Sequence, residues 1–178
     1  MKRLVAHRGA AFTLVELLVV IGIIAILAGM AYPVYQRTVA GGRAAACLSN
    51  LRQLGVGLNA YLNDNEMRMP SLKIARESIQ DDVPVIDNTL DRYITDRAVF
   101  ACPADTKGFA ARTGTSYCWN ILVNDQLVAN LRFLLVTDPT HIPVLSDKEG
   151  FHPYLEDKIN VLYADGHATK DVKFSAGN

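Results

Sequence analysis

A single carboxylate, Glu16, lies inside an otherwise apolar stretch of the sequence. A charged side chain within an apolar membrane span costs about 2.5 to 3.5 kcal/mol on insertion scales, so such a residue marks a functional site with a partner. A buried carboxylate is stabilised most by a cation that is also removed from water. The sequence therefore predicts that Glu16 pairs with a positive charge.

A second group of residues that could carry chemistry lies in the last quarter of the chain. It consists of Asp147, Glu149, His152, Asp157, Asp165 and His167. The oxygens of Asp147, Glu149 and Asp157 suit calcium, although their spacing matches no EF-hand loop, and the alternative is a solvated acidic face. No hydrolase, metalloprotease or phosphate-binding motif is present, so we predict no catalytic residues, no enzyme and, calcium aside, no cofactor.

The apolar stretch that surrounds Glu16 runs from Phe12 to Tyr32 and is long enough to cross a bilayer as a helix. A basic leader precedes it, with no acidic residue, which favours a cytoplasmic N-terminus and an exported remainder. Two alternatives are a secretory signal peptide, cut after small residues such as Gly29 and Ala31, and a plain membrane anchor. Neither alternative requires an acid within the span.

The hexapeptide Ala11-Phe12-Thr13-Leu14-Val15-Glu16 resembles the class III leader junction of type IV pilins and type II secretion pseudopilins. The resemblance implies cleavage between Ala11 and Phe12 by a membrane aspartyl peptidase, which also methylates the new amine of Phe12. It also implies that Glu16 pairs with that amine in an assembling filament. Ala11 stands where this family usually has glycine.

Length and composition limit the organisation of the chain and its partners. The 178 residues allow one membrane helix and one head of ordinary size. Removal of the leader leaves 15 basic and 18 acidic residues, a net charge near −3, which argues against nucleic acid. The three cysteines, Cys47, Cys102 and Cys118, predict one disulfide and one thiol in an oxidising compartment, and spacing leaves all three pairings open. Their spacing is poor for zinc.

The membrane span continues into a second helical segment. Pro33, Gly41 and Gly42 predict a kink or a weak joint after the span. Beyond them, apolar residues at intervals of three and four predict an amphipathic helix with one buried stripe. That stripe comprises Ala44, Cys47, Leu48, Leu51, Leu54, Leu58, Tyr61 and Leu62, and the helix is expected to end near Asn63.

The remainder of the chain predicts a small head with an antiparallel sheet. Branched and aromatic residues predict strands at 116–120, 131–136, 142–145, 159–164 and 167–172, the last two joined by a type I′ turn at Asp165-Gly166. The fold class is α+β, with a long N-terminal helix packed on the sheet, as in pilins. The predicted divisions are leader 1–11, transmembrane half 12–35, amphipathic half 36–64 and head 65–178.

Further segments strengthen the resemblance: CLSNLRQLGVGLNAYLNDNEMRMP, FACPAD, SYCWN and NVLYADGH are similar to pseudopilin-like proteins with prepilin-type N-termini. This resemblance implies a Cys47–Cys102 disulfide, with Cys102–Cys118 as the rival pairing. Major pseudopilins of type II secretion hold calcium in a C-terminal loop, and the oxygens of Asp147, Glu149 and Asp157 would suit such an ion.

The resemblance implies a structural subunit of a type IV pilus-like or type II secretion pseudopilus filament. Its partners would be copies of itself or other pilins, the prepilin peptidase and methyltransferase, and an inner-membrane assembly platform. The protein would span the bacterial inner membrane once, with its head in the periplasm, before it enters a pilus, a pseudopilus or the cell surface. The alternative is a pilin-anchored minor or tip module for binding or sensing, and a third class is an anchored metal enzyme.

Overall fold

The computed structural model describes residues 13–153 and 158–170 of the chain. Helix α1 (Leu14–Asp64) is 51 residues long and continues without interruption through Pro33, Gly41 and Gly42. The joint expected at these residues is therefore not a break in the helix, and a kink there stays a prediction. Contacts divide the chain into two compact units, Met1–Thr38 and Val39–Asn178.

Helix α1 ends at Asp64, close to the predicted end at Asn63. The amide of Met67 donates a hydrogen bond to the carbonyl of Leu62 (2.9 Å), which caps the last turn. Glu66 and Met67 both have a φ of 54°, and this left-handed backbone directs the chain away from the helix axis.

The apolar stripe of α1 is central to the core of the second unit. Within it, Cys47, Leu51 and Leu54 have no solvent exposure, and Tyr61 packs against the core while partly exposed. The predicted buried face is therefore confirmed, because residues at intervals of three and four point the same way on a helix. The buried members are Ala44, Cys47, Leu48, Leu51, Leu54, Leu58 and Leu62.

A four-stranded antiparallel sheet packs against this stripe, which confirms the α+β class. Its strands lie in chain order: β1 (Tyr117–Trp119), β2 (Pro143–Asp147), β3 (Val161–Tyr163) and β4 (Ala168–Thr169). Leu162 of β3 approaches the helix so closely that a Cβ on Gly55 would lie 3.0 Å from its Cδ1 atom. The glycine therefore allows strand and helix to make contact.

The connections between these elements are short helices and turns. Helices α2 (Ile86–Thr89) and α3 (Phe109–Thr113) are single turns. Short 3₁₀ helices cover Asp91–Tyr93, Arg97–Phe100, Ile121–Val123, Val128–Asn130 and Pro139–His141.

The strand predicted over residues 131–136 is wrong, because this segment forms a tight turn. Phe133 and Val136 exchange two backbone hydrogen bonds of 2.9 Å. Leu134, with a φ of 54°, and Leu135, which is 95% exposed, form the tip of the turn. The two leucines at the tip therefore project into solvent, whereas Leu131 is buried and Phe133 and Val136 pack against the core.

The type I′ turn predicted at Asp165-Gly166 is also wrong, although the hairpin between β3 and β4 exists. A type I′ turn requires positive φ at both central residues. Among the described residues of this hairpin only Gly166 has one, at 90°, and its amide donates to the carbonyl of Tyr163 (2.9 Å). The loop therefore has three residues, a turn followed by a left-handed glycine.

Candidate functional site

The N-terminal end of α1 is closed by Thr13 and Glu16. The amide and the hydroxyl of Thr13 both donate to Oε2 of Glu16, at 2.9 and 2.7 Å, and the amide of Glu16 donates to Thr13 Oγ1 at 3.2 Å. This reciprocal arrangement is a capping box, which satisfies amides that have no partner inside the helix. The predicted cleavage site, Ala11–Phe12, lies outside the described residues.

The first unit presents apolar side chains around the whole circumference of α1. From Leu14 to Tyr35, its large apolar side chains are between 45% and 79% exposed. A helix that is apolar on every face is suited to a membrane or to other apolar helices. Within the described part of the chain, α1 is the one helix long and apolar enough to span a bilayer.

In the second unit, a disulfide joins Cys47 of α1 to Cys102 of the head, with a Cα–Cα distance of 4.9 Å. This is the pairing that the resemblance implies, and the rival Cys102–Cys118 bond is not formed. Cys118 is a free, half-buried thiol on β1, and burial raises the pKa of that thiol.

A buried polar cluster surrounds this disulfide, with His152 at its centre. Nε2 of His152 lies 3.1 Å from Oδ2 of Asp147 and 3.8 Å from Sγ of Cys102. The Nδ2 atom of Asn160 lies 2.8 Å from the same nitrogen. Asp147, His152 and Asn160 are all at most 4% exposed. The cluster therefore brings a carboxylate, an imidazole and a sulfur together away from solvent.

The sheet positions the two side chains that flank His152. Asp147 is the last residue of β2, and its amide donates to the carbonyl of Asn160, just before β3, at 3.0 Å. The Asn160 amide in turn donates to Oδ2 of Asp147 at 2.6 Å. His152 lies in the β2–β3 connection, where its amide donates to the carbonyl of Lys158 at 3.1 Å. Antiparallel pairing therefore places the cluster at one end of the sheet.

The hydrogen bonds of this cluster are incomplete. Nε2 of His152 carries either one proton or one lone pair, so it cannot satisfy all three of its polar neighbours. Among the described residues, Asp147 Oδ1, His152 Nδ1 and Asn160 Oδ1 are buried atoms without a hydrogen-bond partner. Buried polar atoms are normally paired, so these three atoms are still able to take part in hydrogen bonds or to bind a ligand.

A second carboxylate, Asp105, fixes the loop that carries Cys102. Its Oδ2 accepts hydrogen bonds from the amide of Ala110 (2.9 Å) and the hydroxyl of Ser116 (2.8 Å), and Ser116 Oγ accepts from the amide of Cys102 (3.0 Å). Burial alone would raise the pKa of Asp105, but these hydrogen bonds hold it below its usual value.

Asp165 and His167 belong to the β3–β4 turn and contact each other rather than the His152 cluster. Oδ1 of Asp165 lies 2.5 Å from Nδ1 of His167 and accepts its amide hydrogen bond at 3.1 Å. The His167 ring stacks on Tyr163, with 4.6 Å between centroids. Both side chains therefore make these contacts within the hairpin.

The three residues predicted as calcium ligands have different environments. Asp147 is buried in the His152 cluster, and Glu149 is half-buried and pairs with Lys107. Asp157 lies outside the described residues. The calcium site therefore stays a prediction.

Two features were not predicted from the sequence. The Thr13–Glu16 capping box has a readable signal, since threonine followed three residues later by glutamate marks a helix start. The contact of His152 with Cys102 has no such signal, because 50 residues separate them. This contact depends on how the head folds against α1.

The comparisons with known proteins bear on the N-terminal region. Residues 7–32 match the family model described as the prokaryotic N-terminal methylation motif. No characterised protein and no solved structure matches the chain. The matched residues include the Ala11–Phe12 junction, Glu16 and the apolar first part of α1, which together indicate single-pass membrane anchoring. The chain therefore carries the prokaryotic N-terminal methylation motif, the signature of the prepilin-type proteins among which are type IV pilins and pseudopilins.

Proposed function

We propose that the protein is a structural subunit of a type IV pilus-like or pseudopilus filament. The prepilin peptidase would cut it after Ala11 and methylate Phe12, and its head would face the periplasm. An inner-membrane assembly platform would then draw the first part of α1 from the membrane into a helical bundle of subunits. The observation that carries the proposal is the methylation motif at residues 7–32, on a helix with apolar side chains on every face.

Glu16 would have one role in the single chain and another in a filament, and a substitution can distinguish the two. In the single chain, its carboxylate accepts two hydrogen bonds from Thr13. In a filament, the same carboxylate would pair with the methylated amine of Phe12 of a neighbouring subunit. The first role needs only a hydrogen-bond acceptor, whereas the second needs a negative charge.

The Glu16→Gln substitution distinguishes these roles, because glutamine also completes a capping box but carries no charge. We expect Glu16→Gln and Glu16→Ala chains to be inserted and cleaved but not polymerised, as measured by filament recovery in sheared surface or membrane fractions. Glu77→Gln, at an exposed head residue, is the matched control and should assemble normally. Normal filaments from Glu16→Gln would show that Glu16 acts as a helix cap and would refute charge pairing.

Mass spectrometry of the mature N-terminus tests the processing step independently. We expect the native chain to begin at N-methylated Phe12. A chain that begins at Met1, or near Tyr32, would instead support a plain anchor or a secretory signal peptide. In that case the filament proposal would be abandoned.

The second candidate, a pilin-anchored tip or sensing module, is favoured by the exposed turn of the head. Leu134 and Leu135 are 75% and 95% exposed, and adjacent exposed leucines of this kind can contact a partner. Copy number separates the two candidates, since a filament shaft needs an abundant subunit and a tip needs few copies. Quantitative proteomics of the sheared fraction would provide that measurement.

A further inference from the structure

The sulfur atoms of Cys47 and Cys102 and a ring nitrogen of His152 all lie within 4.8 Å of one another. All three residues are buried, with at most 4% exposure. Two cysteines and one histidine form a donor set typical of zinc sites, where thiolate and imidazole ligands predominate. The disulfide occupies both sulfurs in the oxidised chain, so this donor set is complete only when the S–S bond is reduced.

The distances within the cluster approach those of a tetrahedral site. Zinc bond lengths of about 2.3 Å to sulfur and 2.0 to 2.1 Å to nitrogen or oxygen imply tetrahedral edges of roughly 3.6 Å for N···S and 3.3 Å for N···O. The observed His152 Nε2 to Cys102 Sγ distance is 3.8 Å, and the Nε2 to Asp147 Oδ2 distance is 3.1 Å. His152 Nε2 therefore lies near the distance expected between two zinc ligands from both Cys102 Sγ and Asp147 Oδ2.

The same two side chains also carry unpartnered atoms, although these are not the Nε2 and Oδ2 atoms that would bind the ion. Asp147 and His152 are more than nine-tenths buried, yet Asp147 Oδ1 and His152 Nδ1 have no hydrogen-bond partner among the described residues. A metal ion would neutralise the buried carboxylate and would use the lone pair of Nε2. Asn160 Nδ2 would then give up its 2.8 Å contact with that nitrogen.

From these contacts we infer that the cluster is a redox-gated zinc site. When the disulfide is reduced, the thiolates of Cys47 and Cys102, the imidazole of His152 and the carboxylate of Asp147 bind one Zn²⁺. In the oxidised chain the same position is closed by the S–S bond. The inference concerns the head alone and does not depend on filament assembly.

The chemistry requires a dithiol reductant. Two electrons and two protons pass from the dithiol to the S–S bond of the chain, which breaks to give two thiols, while the reductant forms its own disulfide. The sulfurs then separate to about 3.8 Å, the S···S edge of a tetrahedral zinc site. Zinc displaces the two thiol protons into water.

The consequence is that the helix is cross-linked to the head in both redox states. Cys47 belongs to α1, whereas Cys102, Asp147 and His152 belong to the head. In the oxidised state the link is covalent, and in the reduced state it is a metal ion with ligands from both parts. Zinc would therefore replace the disulfide as the connection between them.

The test is a Co²⁺ titration, followed by competition with Zn²⁺, of the full chain in detergent micelles with and without a phosphine reductant. We expect the reduced chain to bind one metal ion, with the thiolate-to-cobalt charge-transfer band and the intense visible bands of a tetrahedral site. The oxidised chain should show neither. His152→Ala should weaken binding by at least tenfold and change the cobalt spectrum, and Asp147→Asn should weaken binding less.

Cys118→Ser, which removes the thiol outside the cluster, is the matched control and should leave the titration unchanged. The emission of Trp119 reports whether the reduced head is folded, since this buried side chain is the single tryptophan. If reduction unfolds the head, recovery of the native emission on addition of Zn²⁺ supports the site. Absence of binding, or equal binding by wild type and His152→Ala, overturns it.

Discussion

Helix α1 has two regions with opposite relations to their surroundings. Between Leu14 and Tyr35 the large apolar side chains are exposed, whereas between Ala44 and Leu62 the apolar stripe is buried by the head. The two regions belong to one continuous helix. The difference teaches that the second region packs within the chain, whereas the first has the all-round apolar surface that suits a membrane or other apolar helices.

The largest expected effect is on the stability of the head, and the same leucine-to-alanine substitution should produce it in one region of α1 but not in the other. Leu51→Ala, in the buried stripe, should lower the free energy of unfolding of the head by about 2 to 5 kcal/mol, because it creates a cavity in the core. Leu18→Ala, at a side chain that is 59% exposed, should leave that free energy unchanged. Urea unfolding of the full chain in detergent, followed by Trp119 emission, measures both. Equal effects would contradict the division of the helix.

A charged substitution in the first region should instead impair membrane insertion and leave the stability of the head unchanged. Ile24→Lys places an ammonium in the middle of the apolar region and should cost about 3 kcal/mol of membrane insertion. The head should unfold as in wild type, because Ile24 lies outside its core. The control is Gln53→Lys, on the exposed face of the second region, which should alter neither property. Alkaline extraction of membranes measures insertion, and full retention of Ile24→Lys would count against a membrane span.

Two glycine substitutions sharpen the boundary between the regions. A Cβ on Gly57 would lie 2.5 Å from Ile94 Cδ1, whereas nothing lies within 4 Å of a Cβ on Gly41. Gly41→Ala should therefore stabilise the helix by about 1 kcal/mol through helix propensity alone. Gly57→Ala should lose that gain to overpacking and destabilise the head by about 1 kcal/mol. Hydrogen exchange near Gly41 and urea unfolding measure the two effects, and the same sign for both would refute this assignment.

The smallest expected effect is a dependence on pH that belongs to the head. The pKa of Asp105 lies below its usual value in the folded chain, so the carboxylate contributes stability above the unfolded-state pKa of about 3.9. That contribution is lost as the pH falls through the lower, folded-state pKa. Because Asp105 is partly exposed, we expect less than about 1 kcal/mol. Asp105→Asn should be less stable at pH 7 and should approach wild type near pH 2 in urea unfolding.

Local patterns predicted much of this fold. The spacing of Cys47, Leu51 and Leu54 predicted the buried stripe, and the apolar run around Glu16 predicted the membrane span, because helical periodicity is a property of adjacent turns. The turn at Leu134 and Leu135 was mistaken for a strand, since branched residues are common in both settings. The spacing of the cysteines appeared poor for zinc because a zinc motif is recognised by ligands close in sequence. Cys47, Cys102 and His152 are brought together only by tertiary structure.

The Cys47–Cys102 bond also determines how mechanical tension passes through the molecule. Cys47 lies near the start of the buried stripe, only a few residues after the division between the two units at Thr38. A pull applied through the first region of α1 reaches this covalent link before it reaches Leu51 or Leu54. The load therefore passes to Cys102 through chemical bonds, and the non-covalent contacts farther along the stripe are shielded from being peeled apart one by one.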